Sequence, residues 1–119
     1  MLKIDNIHTY YGDSYILQGV NMEVKPGQVV ALLGRNGVGK TTLARSIMGL
    51  TPARDGRILF RDQDITRMPA HRIARLGLGY VPQGRQVFRS LTTGEHLQVT
   101  ARGNGPWSFD RVLALFPNL

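Results

Sequence analysis

The stretch "LLGRNGVGKTTLARSIMG", residues 32–49, decides how the chain is read. Gly34, four residues, Gly39, Lys40 and Thr41 complete the pattern G-x-x-x-x-G-K-[ST]. Each residue type has a physical task. Glycines at 34, 37 and 39 let the backbone turn so that its N–H groups converge on phosphate oxygens, where a side chain would block approach. A helix opening near Lys40 adds its positive dipole end and its unpaired N–H groups. The Lys40 amine would reach the β- and γ-phosphates, and the Thr41 hydroxyl would enter the shell of a Mg2+ ion. Thr42 completes the candidate phosphate-binding set. The context agrees with the pattern. "QVVALL" before it is apolar throughout, as for a central strand covered on both faces. "TTLARSIMGL" after it carries Leu43, Ile47 and Leu50 at helical spacing, and Thr51-Pro52 ends that helix.

The competing dinucleotide fingerprint G-x-G-x-x-G fails. Gly37 and Gly39 are followed by Thr42 where a third glycine is needed, and Gly77 and Gly79 meet Pro82. Composition narrows the classes further. Apolar residues make up 42% and charged ones 19% of 119 residues, which suits one globular domain or a piece of one. With no cysteine, neither a disulfide framework nor a thiolate metal site can be built. The longest apolar run, residues 29–33, is too short to span a bilayer, and the first residues carry no signal-peptide pattern. The expected location is therefore cytoplasmic, with a membrane reached only through a partner. The net charge of +7, 15 basic against 8 acidic residues, is concentrated from Arg35 onward. It fits attraction to polyanions and equally a solvated basic surface, so charge alone decides nothing.

Along the chain, "LKIDNIHT" and "VNMEVK" alternate as half-buried strands, the second ending at the turn signal Pro26-Gly27. "GRILFRD" reads as another strand. Pro69 opens a short helix through Leu76, with Gly77 as its stop. "GYVPQ" reads as a brief strand that Pro82 terminates. Thr92 and Glu95 form a capping-box pattern for a helix to about Arg102, and "SFDRVLALF" is a last helix closed by Pro117. Strands interleaved with helices argue for an α/β or mixed domain.

Taken together, "LLGRNGVGKTTL", "MGL", "GRILF", "YVPQGRQVF" and "LTTGEHL" resemble, in order and from end to end, an ABC-transporter ATP-binding subunit. The similarity is to the type serving branched-chain amino acid and urea importers. The loop "GRNGVGKTT" and the glutamine of "YVPQGR" lean towards the urea type. The resemblance implies a P-loop NTPase core, α/β, with an N-terminal antiparallel β portion. It implies that Tyr11 stacks on the adenine of ATP, a role for which Tyr10 and Tyr15 are neighbouring contenders. It implies that Gln83 is the Q-loop glutamine reaching Mg2+ and the attacking water, and that Asn36 fixes the loop through side-chain to backbone bonding. Lys40 and Gln83 are thus the candidate catalytic residues, and Thr41 and Gln83 the candidate Mg2+ ligands. The implied partners are a second ATP-binding subunit, membrane permeases and an extracytoplasmic solute-binding protein, at the cytoplasmic face of the membrane.

Other polar residues take structural readings. His8, His71 and His96 lack partner spacing, Trp107 packs beside Pro106, and Asp62 and Asp64 belong to an exposed turn. The family's chemistry also uses a Walker B strand with its Asp and Glu, an "LSGGQ"-like signature and a switch histidine. No Asp-Glu or Glu-Asp pair and no Ser-Gly-Gly occurs here. Residues 1–119 are accordingly expected to be the incomplete N-terminal part of an ABC ATP-binding domain, an ATPase as the full family member and inactive alone. The alternative is a truncated, non-hydrolysing nucleotide-binding fragment. A nucleic-acid role is not expected, since aromatic and basic residues do not interleave and no helix-turn-helix or RNP pattern occurs.

Overall fold

The computed structural model describes residues 1–34, 39–84, 87–101 and 105–119, which fall into two units, Met1–Val81 and Pro82–Leu119. In the first, β1 (Leu2–Tyr11) pairs antiparallel with β2 (Ser14–Val24) on one side and with β3 (Asp55–Phe60) on the other. A short β4 (Gln63–Asp64) completes the order β2-β1-β3-β4. Arg61 and Asp62, at φ 50 and 65, form the two-residue connection from β3 to β4. Beyond it, Thr66 seals the turn. Its hydroxyl accepts from Ile58 N at 2.8 Å and donates to the Asp64 carboxylate, which also accepts from Thr66 N at 2.9 Å. Those bonds, the hydroxyl's first, hold the Asp64 carboxyl below the usual carboxylate range.

Two irregularities set which residues face inward. A register shift between Ile4 and Ile7, with Asn6 at φ 50, lets both isoleucines bury although they are three residues apart. On β2 the register passes from Thr9↔Leu17 to Tyr10↔Tyr15, so Ile16 is an extra residue opposite β1. The core comprises Ile4, Ile7, Leu17, Ile58 and Phe60 from the sheet with Ala53 and Ile65. Leu43 joins them from α1 (Lys40–Ile47), and Ile73 from α2 (Ala70–Arg75). Between β1 and α1 the contact is polar at one point: buried Thr9 Oγ1 lies 3.0 Å from Ser46 Oγ, which donates to Thr42 O at 2.8 Å.

Three sequence expectations differ from what is observed. Residues 28–33 form no strand. After the turn at Lys25, Val29 is 96% and Leu33 92% exposed. A segment apolar on all sides becomes a strand only when neighbouring strands pair with it, and the described sheet is bounded by β2 and β4. The "GYVPQ" stretch is irregular for the same reason. The third difference is that α1 stops at Ile47, so Leu50 is outside it and exposed. Gly49 at φ 74 takes the left-handed position. Its N–H bonds Ser46 O at 3.2 Å and Leu50 N–H bonds Arg45 O at 2.9 Å, which is a Schellman closure. A Cβ at Gly49 would meet Met68 O and Ile73 Cδ1 at 2.9 Å.

The second unit carries α3 (Thr93–Thr100) and α4 (Phe109–Leu115). Thr92 and Glu95 form the expected capping box, with bonds of 3.0 and 3.2 Å, and Ser108 caps α4. The cap bonds hold the Glu95 carboxyl below its ordinary range. His96 is structural: its Nε2 accepts from Phe88 N at 3.0 Å and its Nδ1 faces Thr92 O at 2.7 Å. Trp107 lies beside Pro106 at the surface. It is 58% exposed, and the Arg111 guanidinium, 4.4 Å from its ring centre, lies over it. No helix among the described residues is long and apolar enough to cross a membrane.

Candidate functional site

The site is organised by Gly39. Its φ of 103 is left-handed, and it is the residue from which α1 starts, with Leu43 N–H bonding Gly39 O at 2.8 Å. It is buried. A Cβ there would stand 2.9 Å from Leu17 Cδ2 and 3.4 Å from Ile16 Cγ2. The extra residue in β2 thus brings two consecutive side chains against Gly39, and both conformation and space require glycine. Thr42, Leu43 and Ser46 then bury the inner face of α1 and fix its direction.

This end of α1 has no side-chain cap and no acidic residue in its first turn, while Arg45 occupies its last turn. The first N–H groups of a helix have no partner within it, so an uncapped end offers several donors to an anion together with the dipole. Lys40 is half-buried, and its Nζ donates to the carbonyl of Gly34 at 2.5 Å. The ammonium therefore sits across the two ends of the glycine-rich loop. Thr41 is exposed, with its hydroxyl on the first turn.

The described residues thus bring together Gly34, Gly39, Lys40, Thr41 and Thr42. Asn36 and Gly37 lie outside the described residues. Tyr11 ends β1 and is 44% exposed. Two-residue alternation puts it on the face of Thr9, which is the face carrying α1. Tyr10 and Tyr15, the other contenders for base stacking, instead stack on each other, centroids 4.6 Å apart and planes within 8°. Gln83 belongs to the second unit, where it is exposed on a turn with Gly84. Among the described residues no three His, Cys, Asp or Glu side chains gather to hold a metal ion. Asp64 keeps its turn, as expected. Sequence reasoning missed the Arg54–Tyr10–Tyr15–His8 layer. Its members are scattered over β1, β2 and the approach to β3, and pairing alone brings them together.

Comparison with known proteins identifies the family. The model of the ABC transporter family matches residues 17–118. BraG of Pseudomonas aeruginosa, a high-affinity branched-chain amino acid transport ATP-binding protein, is 38% identical over all of this chain and 53% of its own length. The lipopolysaccharide export system ATP-binding protein LptB of Escherichia coli is 38% identical over 81% of this chain and 40% of its own. A solved ATP-binding subunit of an ABC transporter superposes with a TM-score of 0.72 at 29% identity, covering 83% of this chain and 40% of that one. The chain spans about half the length of the curated relatives it matches, 53% of BraG and 40% of LptB. A family match over residues 17–118 establishes that this chain belongs to the ABC transporter family of ATP-binding domains.

Proposed function

We propose that residues 34–42 grip the polyphosphate of ATP as part of the ATP-hydrolysing subunit of an ABC importer. The observation that carries this reading is the uncapped start of α1, with the Lys40 ammonium turned onto the Gly34 carbonyl. An amine held by one neutral carbonyl exchanges it for phosphate oxygens at a gain, because charge-assisted bonds are about twice as strong. Tyr11 covers the adenine. Thr41 gives Mg2+ a hydroxyl ligand beside the nucleotide's own oxygens, and the ion when bound neutralises charge on the β- and γ-phosphates. Gln83 contributes a neutral amide that binds and releases as the subunit cycles.

The 38% identity to BraG supports branched-chain amino acids as the transported class, and the loop sequence keeps urea beside it. The assembly in this reading has a second ATP-binding subunit, membrane permeases and a solute-binding protein, with this chain peripheral on the cytoplasmic face. An exporter is the second reading, favoured by an identity to LptB of the same 38%. Loss of amino acid or urea uptake against loss of lipopolysaccharide export, on deletion in the source cell, separates the two. Since these 119 residues hold no Asp-Glu pair to polarise water, we read the chain by itself as an ATP binder without steady turnover.

Equilibrium dialysis with labelled ATP tests the central claim. Lys40→Ala should weaken ATP binding about tenfold to a hundredfold, the worth of one hydrogen bond to a charged group. Unchanged affinity would remove Lys40 from the phosphate site. Steady Mg-ATP turnover by the 119-residue chain, abolished by Lys40→Ala, would overturn the binder-only reading.

A further inference from the structure

We propose that Arg54 is a positioning residue for the base-binding end of the site, clamping the β1–β2 turn and with it Tyr11. The inference rests on the reading of Tyr11 as the aromatic that covers the base. Arg54 precedes β3 and is tied to β1 by its own backbone, its N–H donating to His8 O at 2.8 Å. From that anchor its side chain makes two contacts at once. The guanidinium carbon stands 4.1 Å from the centre of the Tyr10 ring, and Nη2 donates to the carbonyl of Gly12 at 3.1 Å. Tyr10 and Gly12 are the residues on either side of Tyr11.

The clamp extends into the sheet. Tyr10 lies flat on Tyr15, and the Tyr15 hydroxyl hydrogen-bonds His8 Nδ1, while the His8 and Tyr15 rings stack with centroids 5.8 Å apart. Arg54, Tyr10, Tyr15 and His8 therefore form one layer on the sheet face opposite Thr9 and Tyr11. A strand end at a two-residue turn frays unless it is held. Here Arg54, from the segment before β3, and Tyr15, from β2, hold it from behind, and Tyr11 is 44% exposed. An aromatic whose backbone is already fixed loses less freedom when a base stacks on it. Only arginine serves in this position, because a planar, rigid fork covers a ring and donates in its own plane together.

Calorimetric titration of the purified protein with ATP and with tripolyphosphate, which has no base, tests the proposal. Tyr11→Ala supplies the reference for loss of base stacking. Arg54→Lys keeps the stem and charge, so it is the decisive variant, with Arg54→Ala beside it. Both should weaken ATP about threefold to tenfold, a share of what alanine at a stacking aromatic costs, and leave tripolyphosphate affinity unchanged. Adding Tyr11→Ala to Arg54→Lys should then lower ATP affinity no further than Tyr11→Ala alone. If Tyr11→Ala discriminates between the ligands but Arg54→Lys leaves ATP unchanged, or weakens both ligands alike, the clamp is overturned and base stacking stands. If Tyr11→Ala itself spares ATP binding, base stacking fails and the clamp fails with it, whatever Lys40→Ala does to phosphate binding.

Discussion

Replacing Gly39 with alanine tests the joint on which the candidate site turns. Two costs add. At φ 103 an L-residue is held in the left-handed region, which costs about 1–2 kcal/mol. The new methyl would also stand 2.9 Å from Leu17 Cδ2, the end of a side chain that is only 4% exposed and must shift to admit it. Overpacking of that kind costs about 1–3 kcal/mol. The sum is about 2–5 kcal/mol against a total stability of about 5–15 kcal/mol. With a urea slope of about 2 kcal/mol per molar, the unfolding midpoint followed by far-UV circular dichroism should fall by about 1–2.5 M. Two controls divide the sum. Gly12→Ala has a positive φ of 56, inside the left-handed well, and nothing stands within 4 Å of its added Cβ, so it should show a conformational cost alone and set the floor for the one at φ 103. Leu17→Ala opens space beside Gly39, and in that background Gly39→Ala should cost less than it does in the intact protein. If Gly39→Ala in the intact protein is no worse than Gly12→Ala, Leu17 does not crowd position 39 and the reasoning is wrong.

Other outcomes follow from single contacts. Ser46→Ala strands the buried Thr9 hydroxyl and should cost about 1–3 kcal/mol, whereas Thr9→Val leaves Ser46 bonded to Thr42 O and should cost less. Equal urea midpoints for the two variants would contradict the bond. The Asp64 carboxyl is held below its ordinary value by Thr66, so the unfolded chain binds its proton first as pH falls. The stability it contributes is present above about pH 4 and is lost as pH drops through the folded value. Asp64→Asn should flatten that acid limb in urea midpoints recorded against pH. Thr92→Ala removes the hydroxyl that accepts from Glu95 N–H and keeps the residue 92 N–H that donates to the Glu95 carboxylate, so the Glu95 carboxyl should titrate somewhat higher by NMR while staying below its ordinary value, and the helical signal should fall. A Glu95 titration that does not move would show that the cap is not closed in solution.

Local chemistry alone was enough to read a large part of this protein. The helix start at Lys40, the proline and glycine that bound α2, and the Thr92–Glu95 box each act within a few neighbouring residues. Their physics is short-ranged, and so it is written in the order of the letters. What depends on partners far along the chain was not legible. The apolar stretch of residues 28–33 looks like a strand in any window, yet strandhood is a property of pairing, and among the described residues nothing pairs with it. Helical spacing carried Leu50 into α1, but the left-handed turn at Gly49 against Met68 and Ile73 closes the helix earlier. Tyr11 was singled out from two neighbouring tyrosines by resemblance, whereas Tyr10 and Tyr15 were separated from it only when the sheet stacked them under Arg54. Residue types in order are enough to say where the chain can turn tightly and which side chains can meet a phosphate. That Ile16 and Leu17 close on Gly39 emerges only once β2 is paired, because a bulge redirects side chains relative to the strand across from it.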